Sequence, residues 1–359
     1  MSVIAATELG LLQDLSARIG GDQLLVQAAT GNTSLKQNGQ MWIKASGTWL
    51  AHAVEDAIFI PIDLDDTRRQ IARGIDPAGQ SFTVGRKQLG TSVETAMHAV
   101  LHWRVVVHVH SVNTIAWAVR EDGPEQLEKL LAGIAWQWIP YTSSGLPLAR
   151  SIEASVAARP ETRVLILANH GLVVCGDTCE ETEALLREVE CRVRIAPRRS
   201  VEPDWALLAR LADSGVWRVP PSIPVHAMAT DPVNRRIVTE GILYPCQAIF
   251  LSTQARIYSA SVTTAELALV DEPFVLIEGI GTLARRRRNP TESATLAGLA
   301  LVLQRIPQSA PLRYLREDQV RDLLCADVYH YRERVEDNGA EHLALHPPVA
   351  AGDVPTHHG

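Results

Sequence analysis

Cysteine is scarce in this sequence and odd in number: five residues in 359, Cys175, Cys179, Cys191, Cys246 and Cys325, without a CxxC pair. That spacing excludes a zinc ribbon and makes a reduced cytoplasm the expected compartment. Cys175 and Cys179 read as small packing residues, because no second pair completes a metal or redox site. A basic excess is also missing. With 34 Lys and Arg against 41 Asp and Glu, the formal net charge of −7 presents no global positive field to nucleic acid or to an anionic membrane. No apolar run reaches the ~18 residues of a membrane span, and residues 1–13 carry no basic stretch ahead of a long apolar one. Neither export nor membrane insertion is expected, and no internal repeat is visible.

What is present is an alternation of elements along a chain long enough for two domains. Leu11, Leu12, Leu15 and Ile19 recur at helical spacing and Gly20-Gly21 ends the run, which predicts an amphipathic opening helix. MWIKAS (41–46) and AIFIPI (57–62) are short apolar runs between turn residues, hence strands, and Thr91-Ser92 can cap a helix over VETAMHAVLHW. RVVVHVHS (104–111) is a β-branched strand. RVLILAN (163–169) is a strand of buried type that turns at NHG into LVVCG, and 180–194 is a long helix before Pro197. Strands alternating with helices predict an α/β layer domain over residues 1–200. Beyond it, the Pro-rich RVPPSIPVHA leads to strands at YPCQAIFLS and EPFVLIEG and helices at ESATLAGLALVLQ and EDQVRDLLCADVYHYRERV. These predict a second, smaller α/β domain over 201–345. Residues 346–359 lack apolar periodicity and read as a disordered tail, with His357 and His358 terminal and not liganding.

Of only twelve histidines, His108 and His110 stand two apart in RVVVHVHS. On a strand they share one face while Val107 and Val109 take the other, so their imidazoles can close on one cation. A strand face also tolerates alternate polar residues for no chemical purpose, so the pair alone is a modest signal. His170 follows a buried strand and precedes Gly171, which places it either where α/β sheets present functional groups or at an ordinary turn. Three neutral imidazoles form a catalytic zinc set with the fourth position left to water or substrate. Glu94 opens the helix ahead of the histidine strand. It is either a carboxylate favoured there by the helix dipole or, beside a metal, a general base or extra ligand. His98, one turn on, reads as a supporting or core residue, and His102 as structural. Three small-residue turns, Gly31-Asn32-Thr33-Ser34, Ala45-Ser46-Gly47-Thr48 and Thr91-Ser92, carry N–H and hydroxyl donors suited to a phosphate or carboxylate, although each alone is an ordinary turn.

These motifs occur in a recognisable order. GNTS (31–34), IKASG (43–47), TSVE (91–94) with His98, HVH (108–110), IPYTSSGLPLA (139–149) and LANHGLVVCG (167–176) together resemble the class II aldolase/adducin family across residues 7–195. More narrowly, GGDQLLVQAATGNTSLK and MWIKASGTWLA are similar to the aldolase half of bifunctional proteins that join such a domain to a short-chain dehydrogenase. Residues 240–335 are similar to the C-terminal part of that half. No dehydrogenase part is expected here. Its only candidate glycine fingerprint, GIGTLA (279–284), runs into Arg285–Arg288, Asn289 and Pro290 without a helix or a following ribose-binding acid, so it is rejected as a nucleotide site. The arginine run reads as a solvated face or loop.

The resemblance implies a three-layer α/β/α class II aldolase-like domain, a homotetramer with sites near subunit contacts, and a divalent metal, zinc most often, with manganese or cobalt as substitutes. By motif, His108, His110 and His170 are the implied ligands and Glu94 the acid/base residue. Asn32, Ser46, Gly47 and Ser92 face the substrate phosphate or its equivalent, and Tyr141 stands either as a proton donor or as a core residue. Val93, where sugar-phosphate aldolases of the family often have a second serine, weakens the case for a phosphorylated substrate. The expected reaction is metal-dependent cleavage or formation of a carbon–carbon bond in a ketose or ketose phosphate through a stabilised enediolate. Decarboxylases, epimerases and dehydratases of sugar acids share the ligand set and form the alternative. Adducin-like scaffolds lack the centre, and the three histidines with Glu94 argue against that class.

Overall fold

The computed structural model of the chain describes residues 6–84, 87–251, 255–286 and 290–324. The expected tail at 346–359, the end of the expected second domain, Cys325 and the last arginines of the RRRR run lie outside the described residues. The first half runs α1 (Ala6–Gly20), β1 (Asn32–Gln37), β2 (Gln40–Lys44), β3 (Phe59–Asp63), α2 (Leu64–Ala72), the hairpin β4 (Ser81–Val84) and β5 (Lys87–Gly90), and α3 (Thr95–Val100). It continues with β6 (Val105–Val109), α4 (Val112–Ala118), α5 (Gly123–Leu130), β7 (Trp136–Ile139), α6 (Leu146–Ala158), β8 (Val164–Leu167), β9 (Gly171–Gly176) and α7 (Cys179–Arg192).

Seven of these strands form one sheet in the order β3-β2-β1-β6-β9-β8-β7, and every neighbouring pair is antiparallel except β7 with β8. The histidine strand β6 is therefore central, and a central strand must be apolar on both faces. Val105, Val107 and Val109 enter one core with Leu12, Leu15 and Ile19 of α1 and Leu186 and Val189 of α7. Val106 enters another with Met97 of α3 and Leu148 and Ile152 of α6. Helices thus cover both faces, giving three α/β/α layers. Burying each of these apolar side chains contributes about 1.5–3 kcal/mol, so the frame around β6 is rigid.

The second half runs α8 (Trp205–Ala212), β10 (Trp217–Arg218), α9 (Ile223–Thr230), α10 (Pro232–Glu240), α11 (Pro245–Leu251), β11 (Arg256–Tyr258), α12 (Thr264–Ala268), β12 (Phe274–Ile277), β13 (Gly281–Arg285), α13 (Pro290–Leu303) and α14 (Glu317–Leu323). Its four-stranded sheet has the order β10-β13-β12-β11. GIGTLA is the turn and start of β13, a plain antiparallel hairpin with β12. Two expectations are overturned. The helix expected from Val93 behind a Thr91-Ser92 hydroxyl cap begins at Thr95, with Glu94 as its N-cap and no side-chain cap bond. YPCQAIFLS, expected as a strand, is the helix α11, because its run is buried on nearly every side, contains a single β-branched residue, Ile249, and places Pro245 at the first helical position.

The two halves share a core. Val112, Ile115, Ala116 and Val119 of α4 pack with Met228, Ile237, Leu296, Leu299 and Leu303 of the second half.

Candidate metal centre

β6 carries His108 at its end, opposite Asn32 of β1 and Val173 of β9, and His110 follows one residue beyond the strand. His170 arrives from the tight turn between β8 and β9. Asn169 in that turn adopts a left-handed conformation (φ 52°), and its side-chain amide donates to the carbonyls of Leu243 (2.8 Å) and Arg313 (2.7 Å) in the second half. This bracing fixes the direction in which the next residue, His170, projects. Gly171 permits the close approach: a Cβ there would lie 2.6 Å from the Val109 carbonyl oxygen. Gly31, with φ 71° and a virtual Cβ 2.9 Å from the His108 carbonyl oxygen, does the same on the other side of β6.

The three imidazoles form a nearly equilateral triangle, with ring centroids 5.0, 5.0 and 5.1 Å apart, each pair edge to face. Glu94, the N-cap residue of α3, completes the group, and one ligand atom from each of the four residues lies within 4.8 Å of the others. All four are buried. Glu94 Oε1 stands 3.2 Å from His108 Nε2 and 3.1 Å from His170 Nε2. Its Oε2 accepts from the Asn32 side-chain amide, and its backbone N–H donates to Ser92 Oγ (3.2 Å). Burial pushes the Glu94 carboxyl up, but the adjacent His108 and His170 outweigh it and hold the group well below the usual carboxylate range.

Tautomers follow from the partners. His108 Nδ1 lies 3.0 Å from the Leu172 carbonyl, which can only accept, so Nδ1 donates there and Nε2 is the ring nitrogen turned towards Glu94. Three imidazoles and a carboxylate converging in a buried site are a donor set that a divalent cation would fit. His110 Nδ1 is engaged by the Cys246 thiol of α11 (3.4 Å), leaving Nε2 as its free ring nitrogen. Burial, followed by His108 and His170, lowers the His110 pKa well below the ordinary value, so this ring is neutral as a ligand must be.

Of the other singled-out residues, His98 is fully buried, bonds Ser34 Oγ through Nδ1 (2.7 Å) and is held neutral by burial first. Asn32 Oδ1 and Ser46 Oγ are buried without partners among the described residues, and Gly47 turns the chain at φ 75°. Tyr141 is half-buried against Ile242, Ala248 and Leu315 of the second half, and its hydroxyl has no partner among the described residues. Two contributors escaped sequence reasoning. Lys44 ends β2 with its amine buried and donating to the Ala29 carbonyl (2.8 Å), close enough to Glu94 to feel its charge. A lysine at the end of the apolar run MWIK was the available signal. For Cys246, 136 residues from His110, there was no local signal.

A family profile described as "Class II Aldolase and Adducin N-terminal domain" matches residues 12–196, just over half of the chain. The chain belongs to that family. Among curated proteins it is similar to an uncharacterized oxidoreductase, YuxG of Bacillus subtilis (strain 168), at 29% identity over 191 residues, which is 48% of this chain and 27% of that protein. The chain thus spans about a quarter of that relative's length. Solved structures similar to it include the N-terminal class II aldolase domain of a conserved protein from Thermoplasma acidophilum (TM-score 0.45, 23% identity, 54% of this chain and 95% of that one). Another is L-fuculose-1-phosphate aldolase from Thermus thermophilus (TM-score 0.38, 19% identity, 53% and 93%). The second half of this class II aldolase family member lies outside the matched residues. Among the described residues no helix is long and apolar enough to cross a membrane.

Proposed function

We propose that this chain is a metal-dependent aldolase that breaks or forms a carbon–carbon bond in a ketose or ketose phosphate. The observation that carries the reading is the closed, buried triangle of imidazoles with the Glu94 carboxylate set against His108 Nε2 and His170 Nε2. His108, His110 and His170 would hold the ion, zinc by preference for this donor set, with Glu94 as a fourth contact before substrate arrives. Such an ion supplies Lewis-acid stabilisation of negative charge on an oxygen next to the breaking bond.

Everything else is done by this chain's own groups. In the cleavage direction a proton leaves a hydroxyl of one fragment as the bond breaks, and a proton is returned to the carbon of the other. Glu94 is the group placed to carry protons at the reacting carbon, since Asn32 anchors Oε2 while Oε1 points at the histidines. Tyr141, whose pKa burial pushes up to about 12, stays protonated at neutral pH and is the candidate donor, in the bond-forming direction, to the aldehyde oxygen that becomes the new hydroxyl. Asn32 Oδ1 and Ser46 Oγ, buried without partners among the described residues, are polar groups left for substrate hydroxyls, and the Gly47 and Ser92 turns flank them. We place the protein in the cytoplasm as a homotetramer acting on a small sugar or sugar acid, without nucleic-acid or membrane partners.

The test is a panel of ketose phosphates, ketoses and oxo-acids given to metal-loaded protein, with released aldehyde and carbon dioxide read separately. Aldehyde release supports the aldolase; carbon dioxide alone replaces it with a sugar-acid decarboxylase. His110→Ala is expected to abolish both bound metal and turnover, and full activity in that variant refutes the site.

A further inference from the structure

A second cleft, of about 310 Å³, opens where α4, α7, the following linker and the end of α13 meet. Its charged lining is unbalanced in an instructive way. Arg187 is already paired with Asp22 (2.9 Å). Glu190 is nearly buried, and both its oxygens are occupied: Ser111 Oγ donates to one and the Asn113 side-chain amide to the other (3.1 Å). Burial, against these donors, raises its pKa. Two arginines are left over. Arg305 is 8% exposed, donates through Nε to Asn113 Oδ1 (3.1 Å) and through Nη1 to the Leu301 carbonyl (2.9 Å), and meets no carboxylate at ion-pair distance among the described residues. Its Nη2 edge has no protein partner there. Arg194, exposed on the linker, has none either, and the two cations repel each other.

Glu190 is near enough for Arg305 to feel its charge, but Asn113 stands between them and the nearby Arg194 acts against it. A buried guanidinium with no carboxylate in contact is costly, and a second cation beside it raises the cost. A planar fork with a free N–H edge is the group that binds carboxylate or phosphate in a fixed orientation. Leu24, Ile195 and Pro197 supply an apolar wall beside it. We propose that this cleft is a second binding site, for a small oxyanion, carboxylate or phosphate, that carries an apolar substituent. Arg305 and Arg194 hold the anion, and Leu24 and Ile195 receive the substituent.

Cys191 lines the same cleft and is exposed, whereas Cys175, Cys179 and Cys246 are buried free thiols. Its alkylation is therefore a local reporter that an anion at the histidine site does not move. The experiment labels the full chain with N-ethylmaleimide, reads each cysteine by peptide mass spectrometry, and titrates inorganic phosphate or butyrate against chloride of equal ionic strength. The expected result is saturable slowing of labelling at Cys191, with tighter protection by butyrate, whose chain meets the apolar wall, than by phosphate; tighter protection by phosphate refutes the apolar subsite. Arg194→Ala, at an exposed position that leaves the fold intact, should raise the half-protecting concentration about tenfold, the loss of roughly one charge-assisted hydrogen bond. Arg305→Gln should abolish protection, and His110→Ala should leave it unchanged. Labelling that ignores both anions, or protection that persists undiminished in Arg194→Ala, overturns the proposal.

Discussion

Removing the buried amine of Lys44 gives a stability change whose pH dependence can be worked out. The side chain is 2% exposed at the end of β2. Burial pulls its pKa from 10.5 down to about 7, with Glu94 pulling weakly the other way. Lys36 on β1, which donates to the Trp103 carbonyl, is held at about 7 by burial too. In the unfolded chain both return to ~10.4, so between pH ~7 and ~10.4 the unfolded state binds more protons and stability rises with pH. From about pH 7 to about pH 8.5 the shift corresponds to roughly 1.5 kcal/mol per lysine, about 3 kcal/mol for the pair. The window closes there because the Cys175 and Cys246 thiols, pushed up to about 12 by burial, contribute the opposite slope once unfolded thiols ionise. Lys44→Met conserves the shape and deletes one titration, so it should lose about half of the rise. At pH 7 it should be no less stable than the parent, since the lost bond to the Ala29 carbonyl is worth about 1 kcal/mol and the buried amine costs more. Urea unfolding followed by tryptophan fluorescence at the two pH values measures both. A variant with the parent's full pH slope refutes the reasoning.

Glu94→Gln preserves the shape of the site and the bond to Asn32 but not the proton carrier. It should retain metal, measured by elemental analysis, and lose about a hundred- to ten-thousandfold in turnover. Gly171→Ala puts a methyl group 2.6 Å from the Val109 carbonyl oxygen and 3.3 Å from His108 Cε1, so the start of β9 must shift. A loss of about 1–3 kcal/mol in thermal or urea unfolding is expected, together with reduced metal content. Cys246→Ala removes the thiol against His110 Nδ1; metal affinity by competition with a chelating dye should fall about tenfold with the fold intact, and unchanged affinity would show that the contact does not orient the ring.

Much of the site was readable because it obeys short-range periodicities. The two-residue spacing of His108 and His110 is a strand property, and His170 and Glu94 sit at element ends marked by Gly171 and by the Thr91-Ser92 pair. What could not be read depended on distant segments or on total burial. Lys44 looks like a solvated strand end until the loop at Ala29 covers it. The run around Cys246 is apolar and short, a pattern that strand and buried helix share, and only its packing against α13 and α14 decides for the helix. The antiparallel order of the main sheet was likewise hidden, since alternation of helices and strands does not fix strand direction. The arginine cleft draws on residues from 22 to 305, and no local pattern joins them.

The brace from the second half to the histidines has a further consequence. Asn169 is tied to the Leu243 and Arg313 carbonyls, and His110 to Cys246, so two corners of the triangle lean on chain beyond the family-matched residues. Coupling of this kind is reciprocal. Whatever free energy those ties lend to ion capture must return as resistance of the distal half to local opening. Chelation should therefore make the Leu243–Cys246 region the first to exchange its amide hydrogens or to be cut by protease, far along the chain from the histidines themselves.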